Sequence, residues 1–462
     1  MRNIIISISI KLAVALLFTG CNSHKSTKKE SEVNNSEKDL VQIPDSTLLD
    51  SVQKQTFNYF WEGAEPNSGM ARERIHMDNI YPLNDQSVVT TGGTGFGLMA
   101  ILVGIERGFI TREQAVERYE KIVTFLENAN RFHGAWPHWI DGKTGKVQPF
   151  SAKDDGGDLV ETAFLIQGLL TVKEYFKNGN QKEKELTGRI QKLWEEVEWN
   201  WYTRGGKDVL YWHWSPNHDW DMNFAVRGYN ECLIMYVLAA ASPTHSVNNE
   251  VYNTGWARNG QIVSDREFYD LETIVDHYET ADSPVGPLFW AHYSYLGLSP
   301  KNLSDKYANY WELNRNHALI HYKHAVSNPA GYKGYSSKSW GLTSSYSMKG
   351  YAGHRPDRDL GVISPTAALS SMPYTPKESM RFLRFMYEEQ DSLIGKYGPY
   401  DAFSFEHNWY LPRYLAIDQG PIPVMIENYR SGLLWNLFMN NTDIQNGLKK
   451  LGFKTPYLHD DE

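Results

Sequence analysis

The chain has only two cysteines, Cys21 and Cys232, so no disulfide framework holds it together and its stability must come from burial. It carries no block of Lys and Arg and has a net charge of −9 with a pI near 5.9, which argues against nucleic acid or an anionic polymer as partner. After the first twenty residues there is no apolar run long enough to cross a bilayer. Gly-x-Ser-x-Gly and His-Glu-x-x-His are absent, which disfavours serine esterase and zincin chemistry. The glycines of Thr90–Gly97 are not followed by Gly-Lys-Ser/Thr and no strong strand precedes them, so close helix approach explains them better than a phosphate loop. Strand signals are few throughout.

What is present begins with an export signal. Arg2 supplies a positive start, Ile4 to Phe18 is apolar, and Leu17-Phe18-Thr19-Gly20-Cys21 has the form of a lipoprotein cleavage box. The expectation is a signal peptide over residues 1–20, lipidation of Cys21, and a polar tether over residues 21–45 leading to a single domain at residues 46–462. The product would be an exported lipoprotein of the periplasm or outer membrane, held to the membrane through its lipid and otherwise monomeric. Cys232 lies in an apolar run and reads as inert packing.

In the domain, 41% of the whole chain being hydrophobic permits a large core. Helical patterning dominates, starting at Thr47 and recurring to Lys450 in about a dozen segments, many joined by short loops. Pro287 to Leu298 and Ser304 to Ser327 read as helices, and Asn328 to Gly361 as a long loop of the kind that carries function. Some helices are apolar all round and others amphipathic. This alternation predicts an all-α fold, an (α/α)6 barrel with a buried inner ring, short β-hairpins and long active-site loops. Inner helices running parallel would collect their amino ends, and their partial positive charges, at one rim.

Three of the apolar runs begin with an acid. Asp154 and Asp155 precede Asp158 and Glu161 at the head of Leu159–Leu170; Glu231 precedes Cys232–Ala241; Asp418 precedes Ile422–Ile426. Asp158 as N-cap with Glu161 three residues on is a capping-box pattern, and taken alone a cap explains it as well as catalysis does. Three such acids together favour a ring of carboxylates at one rim. That arrangement suits glycosidic bond cleavage, which needs a protonated acid at the leaving oxygen and a base or nucleophile across the ring. Glu231 is assigned as general acid and Asp418 as the base that activates water, with Asp154, Asp158 and Glu161 positioning substrate or tuning pKa. The aromatic content of 13%, with 15 Trp, suits stacking on sugar faces; Trp212 and Trp214, near His213, His218, Asp219 and Asp221, are the candidates, and a loop clamp explains them equally. His317, His321 and His324 share a helix face but read as packing, not as metal ligands. No metal or other cofactor is expected.

A series of short segments also resembles a known family: Thr91–Leu98, Asp158–Ala163, Gly286-Pro287-Leu288-Phe289, Ile363–Ala368, Tyr400-Asp401-Ala402-Phe403, and Ile417–Pro421 with Glu427–Gly432. In order and spacing they are similar to the bacterial glycoamylase-like family, glycoside hydrolase family 144, which includes endo-β-1,2-glucanases. The resemblance spans roughly Leu48 to Phe453. It implies an (α/α)6 barrel, an inverting hydrolase of β-1,2-glucan, and active-site acids at Asp154, Asp158, Glu161, Glu231 and Asp418. A glucoamylase-like enzyme acting on α-linked glucan ranks second. A non-catalytic glycan-binding lipoprotein would need stacking rings but no buried acids, and a polysaccharide lyase would want basic residues for uronates.

Overall fold

The computed structural model describes residues 43–277 and 285–458. The signal peptide, Cys21 and nearly all of the expected tether lie outside them. Helix α1 (Asp45–Trp61) opens the domain, and the following helices are α2 (Thr91–Glu106), α3 (Arg112–Asn128), α4 (Leu159–Phe176), α5 (Gln181–Glu195), α6 (Leu233–Ala241) and α7 (Tyr310–Ser327). The carboxyl-terminal part adds α8 (Pro365–Leu369), α9 (Pro376–Arg384), α10 (Ala416–Gln419), α11 (Pro421–Arg430), α12 (Leu433–Met439) and α13 (Thr442–Leu451). None of the described helices is long and apolar enough to cross a membrane.

Burial sorts these elements into two rings. α2, α4, α6 and α8 are buried along almost their whole length, as are the first eight residues of α11. α3 and α5 alternate buried and exposed positions, and each starts with a complete capping box, Thr111 with Gln114 and Asn180 with Glu183. In chain order an outer segment precedes an inner one six times: α1–α2, α3–α4, α5–α6, the wide turn Val251–Trp256 with Leu288–Tyr295, α7–α8 and α9–α11. This is an (α/α)6 toroid. α12 packs on α4 and α13 on α6.

Glycine sets the closest contact in the inner ring. A Cβ on Gly95 of α2 would stand 2.1 Å from the Phe164 carbonyl oxygen, and one on Gly168 of α4 would stand 2.2 Å from that of Gly95. The two backbones therefore touch, and no larger residue fits either position.

One inner segment departs from the expected continuous helix. Pro287 to Leu298 forms two short 3₁₀ turns, Leu288–Ala291 and Tyr293–Tyr295. Side chains from other elements take its carbonyls: Gln167 Nε2 donates to Tyr293 (3.0 Å), Trp435 Nε1 to Tyr295 (2.8 Å), Asn428 Nδ2 to Leu296 (2.9 Å) and Tyr374 to Ala291 (3.1 Å). Tertiary hydrogen bonds replace the helical ladder, so periodicity alone could not reveal the break. Likewise α7 starts at Tyr310, not Ser304, because Asn309 caps it through the amides of Trp311 and Glu312.

The strands are short and belong to the rim. Arg74–His76 pairs antiparallel with Arg413–Leu415, Gly157–Asp158 with His213–Trp214, and Val88–Thr90, Trp139–Asp141 and Val147–Gln148 form a three-stranded sheet. The long loop contains one hairpin, Ser344–Ser345 with Ala352–Gly353.

Candidate active site

The amino ends of the inner segments meet at a cavity of about 310 Å³. Thr90 and Glu161 come from the heads of α2 and α4, Glu231 from just before α6, Phe289 from the fourth inner segment and Ile417 from just before α11. Their convergence shows that these inner elements run the same way round the ring. The rest of the wall is rim: Glu73 and Arg74 at the start of the paired strand, His138, Trp139 and Phe150 from the segment between α3 and α4, Trp212, and Tyr346 and Tyr351 from the long loop. A larger cavity, about 620 Å³, lies at the opposite, carboxyl ends of α2, α4 and α11. Of its three acids, Glu427 is paired with Arg107 through two bonds of 2.7 Å, Glu174 with Lys177 at 2.5 Å, and Glu106 accepts the Tyr175 hydroxyl at 2.5 Å, so the chemistry belongs to the smaller one.

Glu231 stands in the cavity wall with its residue 8% exposed. Burial pushes its carboxyl up to about 7, against the hydrogen bond from its own amide. Its backbone is fixed by Ser294, whose hydroxyl donates to the Glu231 carbonyl and accepts from the Ile234 amide at 3.0 Å.

Glu161 and Asp158 divide the capping pattern between them. Asp158 is the N-cap of α4 and accepts the Glu161 amide at 2.8 Å, but Glu161 does not return the bond. Its Oε2 accepts the Gly92 amide at 2.8 Å at the head of α2, tying the two inner helices together across the site. Burial raises the Glu161 carboxyl, while His138 and the Gly92 amide oppose the rise. Asp158 is fully buried and accepts two more bonds on Oδ2, from Trp212 Nε1 at 2.8 Å and His138 Nδ1 at 3.0 Å.

His138 is the hub of this acid group. Burial works against its charge, but Glu161 at 4.0 Å, Asp158 and Asp154 at 3.8 Å outweigh it and raise the imidazole to about 9. It is a cation at neutral pH, stacked on Phe150 with ring centres 4.2 Å apart. Asp154 is raised to about 7 by burial and by Asp158. The facing groups of His138, Asp154 and Asp158 lie within 4.8 Å of one another, a separation that would admit a metal ion. Two N–H donors already converge on Asp158, while Asp154 Oδ1 is buried without a hydrogen-bond partner, 3.3 Å from His213 Nε2.

Asp418 does not line the cavity. It sits in α10 one layer behind the wall, acting electrostatically on Tyr293 and Tyr351, which do line it, and its neighbour is Asp401. Of the two tryptophans singled out, Trp212 lines the cavity with Phe224 stacked on it at 5.3 Å. Trp214 does not line it: it packs against His133 (5.1 Å) and Trp201 (6.2 Å) and holds the strand opposite Gly157. His213 Nε2 accepts the Gly156 amide at 3.1 Å, and Asp221 pairs with Lys153 at 3.1 Å, so that cluster clamps a loop. His317 and His321 both bond the Gly286 carbonyl (2.7 and 2.9 Å), and His324 bonds Asp359 at 2.9 Å. Each has a protein partner, and burial lowers His317 to about 4.

Several residues escaped the sequence reading. Glu73 and Arg74 form an ion pair in the wall, with Arg74 over the Trp139 ring at 5.6 Å. Adjacent opposite charges in a loop carry no signal of burial. His138 and Trp139 stand in the segment between α3 and α4, and Tyr346 and Tyr351 in the long loop, and nothing in the sequence distinguishes them from their neighbours.

A helical toroid with buried carboxyl groups facing one aromatic-walled cavity is the architecture of (α/α)6-barrel glycosidases. A family model described as "Putative glucoamylase" matches residues 223–442. The chain is 61% identical to an endo-β-1,2-glucanase from Chitinophaga pinensis, solved with sophorotriose and glucose, with a TM-score of 0.88 over 90% of this chain and 100% of that one. It is 45% identical to a β-1,2-glucanase structure from Parabacteroides distasonis, with a TM-score of 0.83 over 89% of this chain and 60% of that one. A curated relative from the same organism, an exo-β-1,2-glucooligosaccharide sophorohydrolase acting at the non-reducing end, is 47% identical over 88% of this chain; the match spans 58% of that relative's length. The chain belongs to the glycoamylase-like family that contains these enzymes, glycoside hydrolase family 144.

Proposed function

We propose that the protein is a glycoside hydrolase that cleaves β-1,2-linked glucan with inversion. The observation that carries this reading is Glu231: a buried carboxyl in the wall of a sugar-sized, aromatic-lined cavity, raised to about 7 and so able to hold a proton for the leaving oxygen at neutral pH. The kinship with β-1,2-glucan-cleaving enzymes supports the linkage. Asp418 is the base for the attacking water, acting from behind the wall. Trp212 and the surrounding rings take the apolar sugar faces, while His138, held as a cation by Asp154, Asp158 and Glu161, and Arg74 offer N–H donors to hydroxyls.

The deciding experiment incubates the protein with β-1,2-glucan, starch, β-1,3-glucan and sophorose and identifies products by length and anomer. Release of α-configured products from β-1,2-glucan alone is expected. Cleavage of starch in its place would favour the α-glucan reading, and binding without cleavage a glycan-binding role. The domain is further proposed to be an exported monomer, in the periplasm or at the outer membrane, anchored through lipid on Cys21. Cys21→Ala should then lose incorporation of labelled fatty acid and partition with the soluble fraction.

A further inference from the structure

Asp401 and Asp418 form a buried acid pair whose carboxyl groups lie within hydrogen-bonding reach of each other. The residues are 4% and 2% exposed. Asp401 is placed by backbone pairing, its amide donating to the Arg413 carbonyl at 3.0 Å, and Asp418 follows that strand within one turn of helix. Oδ2 of Asp401 accepts the Tyr346 amide at 2.8 Å. The other three oxygens, Oδ1 of Asp401 and both of Asp418, receive no donor from any other group in the described structure. The ionisable groups that face the pair are Glu73, Tyr293, Tyr346 and Tyr351, one more acid and three phenols, and Glu73 is itself bound to Arg74. Two buried carboxylates in contact, with no facing cation to neutralise them, cannot both be ionised. A single proton between them satisfies the orphaned oxygens and removes the repulsion.

We propose that Asp401 is a positioning residue for the base, the pair holding one proton that rests on Asp418 and is donated to Asp401. The negative charge then sits on Asp401, where the Tyr346 amide stabilises it. This rests on the hydrolase reading above and deepens it. As the water oxygen bonds to the anomeric carbon, its proton is relayed by a second water to the free oxygen of Asp418, one layer behind the wall, while the shared proton moves from the other Asp418 oxygen to Asp401. The carbon–oxygen bond to the leaving sugar breaks with its electron pair, and that oxygen takes the proton of Glu231. Afterwards the pair, now carrying two protons, returns one to solvent and Glu231 regains one, so the net change is the addition of one water.

The test is Asp401→Asn, which keeps the shape and an acceptor for the Tyr346 amide but takes up no proton. On β-1,2-glucan, kcat should fall at least tenfold with KM within twofold. The acidic limb of the rate–pH profile should move down by at least one unit, because Asp418 alone, beside an amide donor, ionises more readily. A purely structural Asp401 leaves that limb where it is in the unmutated protein, and an unchanged limb overturns the proposal. Infrared difference spectra of the protein labelled with carboxyl-¹³C Asp give a reading that does not depend on turnover. In an Asp154→Asn background, which removes the other Asp carboxyl raised to about 7, a protonated Asp carboxyl present at pH 7.5 should vanish on adding either Asp401→Asn or Asp418→Asn. Its absence from that background, or its survival in both added variants, refutes proton sharing even if Asp401→Asn lowers the rate. Should the unmutated protein cleave no β-1,2-glucan, the hydrolase reading fails and the spectra still decide whether the proton is shared; should Asp401→Asn not fold, the Asp154→Asn background with and without Asp418→Asn decides it.

Discussion

If Glu231 holds its proton to about pH 7, that burden must show in stability as well as in rate. In the unfolded chain the carboxyl has its ordinary value of 4.5, and in the fold it is raised to about 7. Below pH 4.5 both states are protonated and the group contributes nothing. Between 4.5 and 7 the unfolded state releases its proton and the folded state keeps it, so stability falls as pH rises. Above 7 the loss is complete, and at about 1.36 kcal/mol per unit it amounts to about 3 kcal/mol. Glu231→Gln has no proton to lose at that site. Relative to the unmutated protein it should therefore gain about 3 kcal/mol between pH 4.5 and pH 8, a relative rise in Tm of roughly 3–4 °C for a domain of this size. Paired thermal melts at the two pH values read the difference directly, and comparing the pair at each pH cancels the other acids of the site. A variant whose stability relative to the unmutated protein is the same at both pH values would mean that Glu231 is not protonated in the fold, and the general-acid assignment would fall with it.

The same substitution should reduce turnover of β-1,2-glucan by a factor of about 10²–10⁴, the usual contribution of a general acid. The rate of the unmutated protein should decline above about pH 7 as Glu231 loses its proton. Trp212→Phe keeps a ring in the cavity wall but removes the donor to Asp158; it should cost about 1.5–3 kcal/mol in chemical denaturation, as for a bond to a charged acceptor. Trp214→Ala, outside the cavity, should lower stability and leave KM for the glucan within twofold; a large rise in KM would show that it contacts substrate. Gly168→Ala forces α2 and α4 apart and should cost about 1–3 kcal/mol, whereas an exposed helical glycine would gain about 0.5–1 kcal/mol from the same change; the urea midpoint checks it.

What the sequence made legible follows from periodicity and local chemistry. The apolar character of α2, α4 and α6 announced an inner ring, and Gly95 and Gly168 sit where close helix approach requires them. Acids at the heads of inner elements pointed to the rim, and Glu161 and Glu231 do face the cavity there. The Asp158 pattern turned out to serve both readings, since the cap also anchors the imidazole and indole that reach the cavity. Hidden from the sequence were contacts made by pairing between distant segments. Arg74–His76 with Arg413–Leu415 is such a pairing and carries Glu73 and Arg74 to the cavity; the Asp401 amide on the Arg413 carbonyl is another, and it sets Asp401 beside Asp418. Strands of three residues leave no alternation to read. The break in Pro287–Leu298 was hidden for the same reason, its cause being Gln167, Asn428 and Trp435 on other helices.

The glycine contact between α2 and α4 has a consequence for how such a pocket changes over time. Because main chain rests on main chain there, the gap that Glu161 bridges to Gly92 is set by peptide groups and not by any replaceable side chain. Lining residues such as Phe150, Trp212 and Tyr351 can then be exchanged one at a time, admitting longer, shorter or differently branched saccharides, while the frame beneath keeps its dimensions. Diversification is confined to the upholstery.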